Sequence, residues 1–396
     1  MDNYILWLVS WYPNSLAPFD GDFIQRHAKA VSLFQKIVVI YFKKDEHGVI
    51  TTDVKEMTSI TENLTEKIIY YHSLKTGIII IDRFLSNLKY KNVYQKYLSK
   101  YLQQEGKPLL THVHVAIKAG EQALWLQTKF NIPFIISEHW TGYLPEAQLK
   151  FRNLHRYNRI NITKAFAVAK KITAVSEVLG QAIQKLFFIK DYLVIPNVVD
   201  TTIFYPKDHP KNSPPIFIHI SNMNYQKNGG AIIEAFNLLK KRGYDFQLLI
   251  FGNVPDKYFI LVKDLNLEHQ ILFKKEVPQN ELANTLKISD ALILYSRYET
   301  FGCVVIEANA CEVPVILSDL PVFKEFVTEG ENGHFVAKDN SADLASAIEN
   351  FIGGKFQFNK KKISERISYR FCFEAIGIKF YDLYRQILSE SKDELL

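Results

Sequence analysis

A chain of 396 residues exceeds the size at which one hydrophobic core stops growing, so two domains are expected. Its 47% hydrophobic content is that of an ordinary globular protein, and a formal charge of +6 is too mild to imply a nucleic-acid partner. The three cysteines, Cys303, Cys311 and Cys372, show no metal-ligand spacing and no disulfide framework, which points to a reducing, cytoplasmic setting.

The opening residues, MDNYILWLVSWYP, carry an acid where a targeting peptide needs bases, and their apolar run is short. They read as a first buried strand over 5–10. No apolar run approaches the roughly 20 residues of a membrane span. The loop that follows, WYPNSLAPFDGDF, is rich in Pro, Gly and Asp and leads to a helix over 23–34. A long loop between a first strand and a first helix is where doubly wound domains hold ligands. Gly21 can let backbone approach a phosphate or a sugar there. Asp20 and Asp22 flank it as Asp-x-Asp, a pattern that can hold a divalent cation. Capping of the helix by Asp22 is the favoured reading, and no metal is expected.

Strands are expected over 36–42 and 68–72. The apolar stretch 78–81 fits either a strand or the start of a helix. Residues 83–102 hold Lys89, Lys91, Lys96 and Lys100 among Tyr90, Tyr94, Tyr97 and Tyr101, with no acid. Such a helix either turns its tyrosines to the core and its lysines to water, or rests on anionic lipid head groups. A second acid-free basic stretch covers 150–171. Both lie in one half, so peripheral contact of that half with an anionic membrane is an expectation.

A strand over 111–115 places His112 and His114 on one face. Such a pair can bind metal, but no third ligand is expected near it, so lining the cleft or packing in the core is favoured. The next strand, 134–137, ends in Glu138-His139-Trp140-Thr141-Gly142. A His at a strand's carboxyl end, before a Gly-containing loop, is a site candidate. Strands over 172–176 and 192–196 flank a helix that begins at Glu177. Residues 207–215, with three prolines, read as a linker.

The second half begins again with a strand, 216–221, then a loop over 222–228 and a helix over 229–242. Strands over 245–252 and 271–274 precede a helix over 278–286 with Pro near its start. A strand over 291–295 delivers the segment YETFGCVVIEANACEVPVI, residues 298–316. It reads as turn, helix, strand. Glu299 and Glu307 bracket the turn of Thr300, Phe301 and Gly302. Gly302 lets backbone approach a ligand. The amides that follow, at Cys303 and Val304, open a helix whose N-terminus attracts anions. Carboxylates accept hydrogen bonds from hydroxyls, and hydroxyls beside an anion describe a nucleotide sugar. Further on, a helix starting at 318–321 and containing Glu325, a strand over 335–337, a helix over 341–351 and a long amphipathic helix over 363–388 are expected.

The set Glu299, Phe301, Gly302, Glu307 and Ala308 resembles the nucleotide-binding signature of retaining glycosyltransferase family 4. Ile195-Pro196-Asn197-Val198-Val199-Asp200 resembles that family's signature at the end of its first domain, with Val198 in place of Gly. The resemblance implies an α/β fold of GT-B architecture, two doubly wound Rossmann-like domains facing across a cleft. Their bounds would be 1–206 for the acceptor domain, 207–215 for the linker and 216–362 for the nucleotide-sugar domain. A helical segment, 363–396, would brace the first domain.

By the same resemblance the donor is held by Asn222, Lys227, Glu299, Phe301, Gly302, Cys303, Val304 and Glu307, with Gly21 from the first half. Lys227 matches the Lys that grips the donor diphosphate. Asn222 stands where the family has Arg, a departure because Asn brings no charge; Arg297 is the candidate replacement. His139 would contact the donor sugar near the reacting carbon, Glu299 would position the sugar, and with Lys227 these are the catalytic candidates. The implied reaction is metal-independent and cofactor-free, from a nucleotide sugar to a glycan or lipid-linked acceptor. Its setting would be bacterial surface polysaccharide synthesis at the inner face of the membrane. Alternatives on this architecture are a nucleotide-sugar epimerase or phosphorylase, and a non-catalytic nucleotide-sugar-binding module. A dehydrogenase is disfavoured, because no strand leads into a Gly-x-Gly-x-x-Gly loop.

Overall fold

Two sheets organise the chain in a computed structural model that describes residues 3–46, 48–72, 76–208 and 210–393. The first two residues and the last three of the expected terminal segment lie outside the described residues. The first half runs β1 (Ile5–Val9), α1 (Asp22–Ser32), β2 (Ile37–Asp45), β3 (Val54–Thr61), β4 (Leu64–His72) and α2 (Ile79–Glu105). It continues through β5 (Leu110–His114), α3 (Ala116–Phe130), β6 (Phe134–Glu138), α4 (Arg156–Val168), β7 (Ile172–Ala174), α5 (Glu177–Phe187) and β8 (Leu193–Val194). The eight strands lie in the order β3-β4-β2-β1-β5-β6-β7-β8. Strands β1, β5 and β6 are buried along their whole length, as a parallel sheet covered by helices on both faces requires. The chain winds outward from β1 and returns to lay β5 on its other side, so the switch point lies between β1 and β5.

The second half runs β9 (Ile216–Ile220), α6 (Gly229–Lys241), β10 (Gln247–Phe251), α7 (Asp256–Asp264), β11 (Ile271–Lys274) and α8 (Gln279–Leu286). It then passes through β12 (Ala291–Leu294), α9 (Cys303–Ala310), β13 (Val315–Ser318), β14 (Gly333–Val336) and α10 (Ser341–Ile352). Its all-parallel order, β11-β10-β9-β12-β13-β14, puts a second switch point between β9 and β12. The loops after β9 and β12 therefore open on one crevice.

Two helices close the chain, α11 (Lys360–Phe371) and α12 (Phe373–Asp393), where one was expected. The break falls at Cys372, whose backbone is extended. Helix α12 packs on α1 of the first half. Tyr384 Oη accepts from Trp7 Nε1 at 3.2 Å. Gly377 lies so close to α1 that a Cβ there would sit 2.2 Å from the Ala30 carbonyl oxygen. The terminal helix thus crosses back over the first sheet.

Three local expectations change. Strand β3 is an antiparallel edge exposed along its whole length, so no apolar alternation announced it. The stretch 78–81 resolves as helix, since α2 begins at Ile79. The helix expected from 318–321 is only a single turn, Phe323–Glu325. Beta-branched Val327 and Thr328 follow at once, and the Thr328 amide is taken by Asn332 Oδ1 at 2.7 Å, so the turn does not propagate.

Candidate active site

The loop after β1 turns on Gly21, which is the N-cap of α1 at φ 67°. A Cβ there would lie 2.5 Å from the Trp11 carbonyl carbon, so the loop folds back on itself only with glycine at this point. Asp22 does not cap the helix as expected. It sits inside the first turn and accepts instead from Gln279 Nε2 of the second half at 2.7 Å and from Arg26 Nη2 at 3.4 Å. Asp20 pairs with Lys43 at 3.3 Å. The two carboxylates of Asp-x-Asp therefore serve different partners.

In the second half, Lys227 ends a single turn (Tyr225–Lys227) pinned by Asn224 Oδ1, which accepts from the Lys227 amide at 3.2 Å. Its ammonium is bonded to Glu299 Oε1. Ser296 Oγ donates to the same oxygen at 2.9 Å, and Gln226 Nε2 donates to Oε2 at 3.1 Å. Glu299 is thus held on both oxygens. Gly302 caps α9 at φ 89°, and a Cβ would lie 2.9 Å from the Phe323 ring. The first amides of α9 have no partner within the helix and are available to an anion. The Phe301 ring is buried and stacks on Phe326, so it anchors the turn.

Glu307 follows on α9. Both it and Arg26 of α1 are 4% exposed, and Arg26 Nη1 donates to Glu307 Oε1 at 2.6 Å. Burial works to lower the Arg26 pKa, but the Asp22 and Glu307 carboxylates outweigh it and hold the guanidinium charged. Burial pushes the Glu307 carboxyl above the usual range, with Arg26 opposing.

These groups converge on a cavity of about 400 Å³ between the halves. Its walls include Arg26, His139 and Asn197 from the first half, with Asn222, Lys227, Glu299, residues 300–304 and Glu307 from the second. Every expected site residue except Gly21 lines it. Arg297 turns away: its guanidinium lies over the Tyr225 ring at 4.5 Å, donates to the Tyr225 carbonyl at 2.7 Å and meets Asp339 at 3.3 Å. It does not replace the missing arginine. Arg26 was missed by sequence reading, because nothing local marks a partner 281 residues away.

His139 directly follows β6, and its carbonyl accepts from Thr300 Oγ1 at 3.1 Å, which ties the glycine turn to the first half. The histidine pair of β5 does gain further ring neighbours, contrary to expectation. His27, His114 and His139 bring ring nitrogens within 4.8 Å of one another, the one such group of three among the described residues. His114 Nδ1 lies 3.4 Å from His139 Nε2, and His114 stacks on Trp7 at 4.0 Å. Burial lowers the His27 pKa to about 4, and lowers those of His112, His114 and His139 well below the usual value. His139 therefore presents a neutral imidazole to the cavity.

Two further contacts join the halves. Glu325 accepts from the Glu177 and Val178 amides at 3.0 and 3.1 Å, capping α5 from the other domain. Tyr298 Oη accepts from the Gln148 amide at 3.1 Å. The tyrosines of α2 face inward. Tyr94 stacks on Phe42 at 3.9 Å, and Tyr90 and Tyr101 are buried, so they are not the aromatic face of an interfacial helix.

Two family models match the chain. The model described as Glycosyltransferase Family 4 matches residues 61–203, and that described as Glycosyl transferases group 1 matches residues 202–368. Among curated relatives, N-acetyl-alpha-D-glucosaminyl L-malate synthase of Bacillus anthracis is 28% identical over 56% of this chain, and the match spans 61% of that relative's length. The O-antigen chain mannosyltransferase RfbU of Salmonella typhimurium is 29% identical over 62% of this chain and 71% of its own. Among solved structures, a sucrose-phosphate synthase from Thermosynechococcus elongatus superposes with a TM-score of 0.77 at 20% identity, over 98% of this chain and all of the other. Anabaena HepE, solved in complex with UDP, gives 0.70 at 15% identity over 97% of this chain. The two family models meet where the chain crosses from its first sheet toward its second, and the chain belongs to glycosyltransferase family 4, with the GT-B fold.

Proposed function

We propose that this protein is a retaining glycosyltransferase that moves a sugar from a nucleotide-diphosphate sugar to a glycan or lipid-linked acceptor in surface polysaccharide synthesis. One observation carries the reading: Lys227, Glu299, Glu307 and the amides opening α9 line one cavity between two domains. The hard part of the reaction is departure of the nucleoside diphosphate, on which negative charge grows. Lys227 and the α9 amides stabilise that charge, because donors fixed in advance act most where charge develops. Glu307 accepts from ribose hydroxyls. Glu299, fixed on both oxygens, orients the sugar rather than attacking it. The acceptor hydroxyl approaches from the leaving-group face. Its oxygen bonds to the anomeric carbon as the bond to phosphate breaks, and its proton passes to the released phosphate oxygen. The neutral His139 imidazole offers a hydrogen bond beside the sugar.

No metal or cofactor is assigned a role, since Asp20 and Asp22 are each engaged elsewhere. Among the described residues no helix is long and apolar enough to cross a membrane. Peripheral membrane contact rests on the exposed Lys96 and Lys100 of α2 and the exposed Ile79, Phe84 and Leu88 near its start. Sedimentation with anionic but not neutral vesicles tests it.

The test of the main reading is product analysis with a panel of nucleotide sugars and acceptors. Transfer with the donor's anomeric configuration kept supports it, and inversion removes the retaining mechanism. Conversion of donor without any acceptor favours an epimerase, and binding without turnover favours a non-catalytic module.

A further inference from the structure

The second cation of the donor site is missing from its expected place. Asn222 carries no charge, and Arg297 is turned onto Tyr225 and Asp339. The cavity that holds Lys227 is lined by several carboxylates, Asp22, Glu299 and Glu307 among them. A diphosphate dianion placed among these needs more than one fixed positive charge. Arg26 is the guanidinium that lines this cavity, and it comes from the opposite domain. It is 4% exposed and only partly satisfied. One terminal nitrogen donates to Glu307 and the other to Asp22, while its Nε has no partner. A buried guanidinium with an unmet donor, set beside the amides of α9, is suited to an anion with several oxygens.

We propose that Arg26 is the second diphosphate-binding cation, supplied in trans across the domain cleft in place of the charge that Asn222 lacks. The inference rests on the nucleotide-sugar reading above. Glu307 links the two events. Ribose hydroxyls compete with Arg26 for the Glu307 carboxylate, and the guanidinium then turns toward the diphosphate, whose oxygens replace the carboxylate as acceptors. The first domain is thereby drawn onto the donor, so donor binding and domain closure become one step.

Titration calorimetry with nucleoside diphosphates and the matching nucleoside monophosphates tests this in the full chain. UDP, GDP, ADP and CDP are first screened on the unmodified protein, and binding of none of them overturns both this inference and the nucleotide-sugar reading. With a binding diphosphate in hand, Arg26→Gln is expected to cut its affinity at least 10-fold while changing monophosphate affinity less than 3-fold. Arg26→Lys keeps the charge and is expected to restore most of the preference for diphosphate. An unaltered ratio of diphosphate to monophosphate affinity in Arg26→Gln overturns the inference alone, because a residue that merely braces Glu307 weakens both ligands equally. Should Arg26→Gln fail to fold, the double variant Arg26→Gln/Glu307→Gln, which leaves neither member of the buried pair charged, takes its place: a lowered ratio of diphosphate to monophosphate affinity supports the inference, and an unaltered ratio overturns it.

Discussion

Arg26 on α1 and Glu307 on α9 meet across the cleft as a buried ion pair with nitrogen and oxygen 2.6 Å apart. The pair joins the two domains at the carboxylate assigned to the ribose. Removing one partner of such a pair leaves a charge buried without compensation, at a cost of about 3–5 kcal/mol. Glu307→Ala should therefore lower the melting temperature and also weaken nucleoside diphosphate binding at least 10-fold. Unchanged affinity in the folded Ala variant, measured by titration calorimetry, removes the ribose role.

Lys227 lies against Glu299 at the carboxyl end of the second sheet. If it neutralises the departing diphosphate, Lys227→Ala should slow transfer by about 100- to 1,000-fold in initial-rate assays. An exposed lysine such as Lys241 makes a fair control. A loss under 3-fold would mean that the ammonium serves only to orient Glu299.

Gly302 and Gly354 both have positive φ, but only Gly302 is crowded, with Phe323 2.9 Å from the position of a Cβ. Gly302→Ala should cost about 1–3 kcal/mol of stability and displace the first amides of α9, reducing nucleotide affinity. Gly354→Ala, with nothing within 4 Å, should cost less and leave affinity unchanged. Equal effects on nucleotide binding would contradict the role given to those amides.

Five buried histidines, His27, His112, His114, His139 and His219, are held neutral by burial. The folded state binds fewer protons there than the unfolded chain, whose imidazoles titrate near the usual value, so their contribution is lost as pH falls below about 6.5. His27, lowered to about 4, accounts for roughly 1 kcal/mol by pH 5.5. Glu138 acts in the opposite sense, since burial raises its pKa to about 7 and its stabilising term is lost as pH rises. Glu307 and Glu325 are also raised, with burial the main cause. The histidines outnumber them, so urea stability should fall between pH 7 and 5. Constant or rising stability over that range would show that the carboxyls dominate.

Activity should be unaffected by excess EDTA, because Asp20 and Asp22 are committed to Lys43 and Gln279. Loss on chelation, with recovery on adding a divalent ion, would overturn metal-independence. Metal analysis of His114→Ala would then test whether the ion sits among His27, His114 and His139.

The sequence by itself determined the double strand–helix alternation and the segment that carries Glu299, Gly302 and Glu307. Those features are local: apolar runs, turn glycines and fixed spacing within one loop and one helix. It also placed Lys227 in the loop between the first strand and first helix of the second half, and His139 just past the end of a strand. It did not reveal β3, whose exposed edge position leaves no apolar pattern, and it offered the inward turn of the α2 tyrosines as one of two readings, which packing on Phe42 decides. Only the tertiary structure decided which cations face the cavity. Arg297, close in sequence to Glu299, stacks on Tyr225, while Arg26 reaches Glu307 from the other sheet. It likewise gathered His27, His114 and His139 from three separate elements. Pairings between distant segments depend on how two sheets pack, and local periodicity carries no record of that.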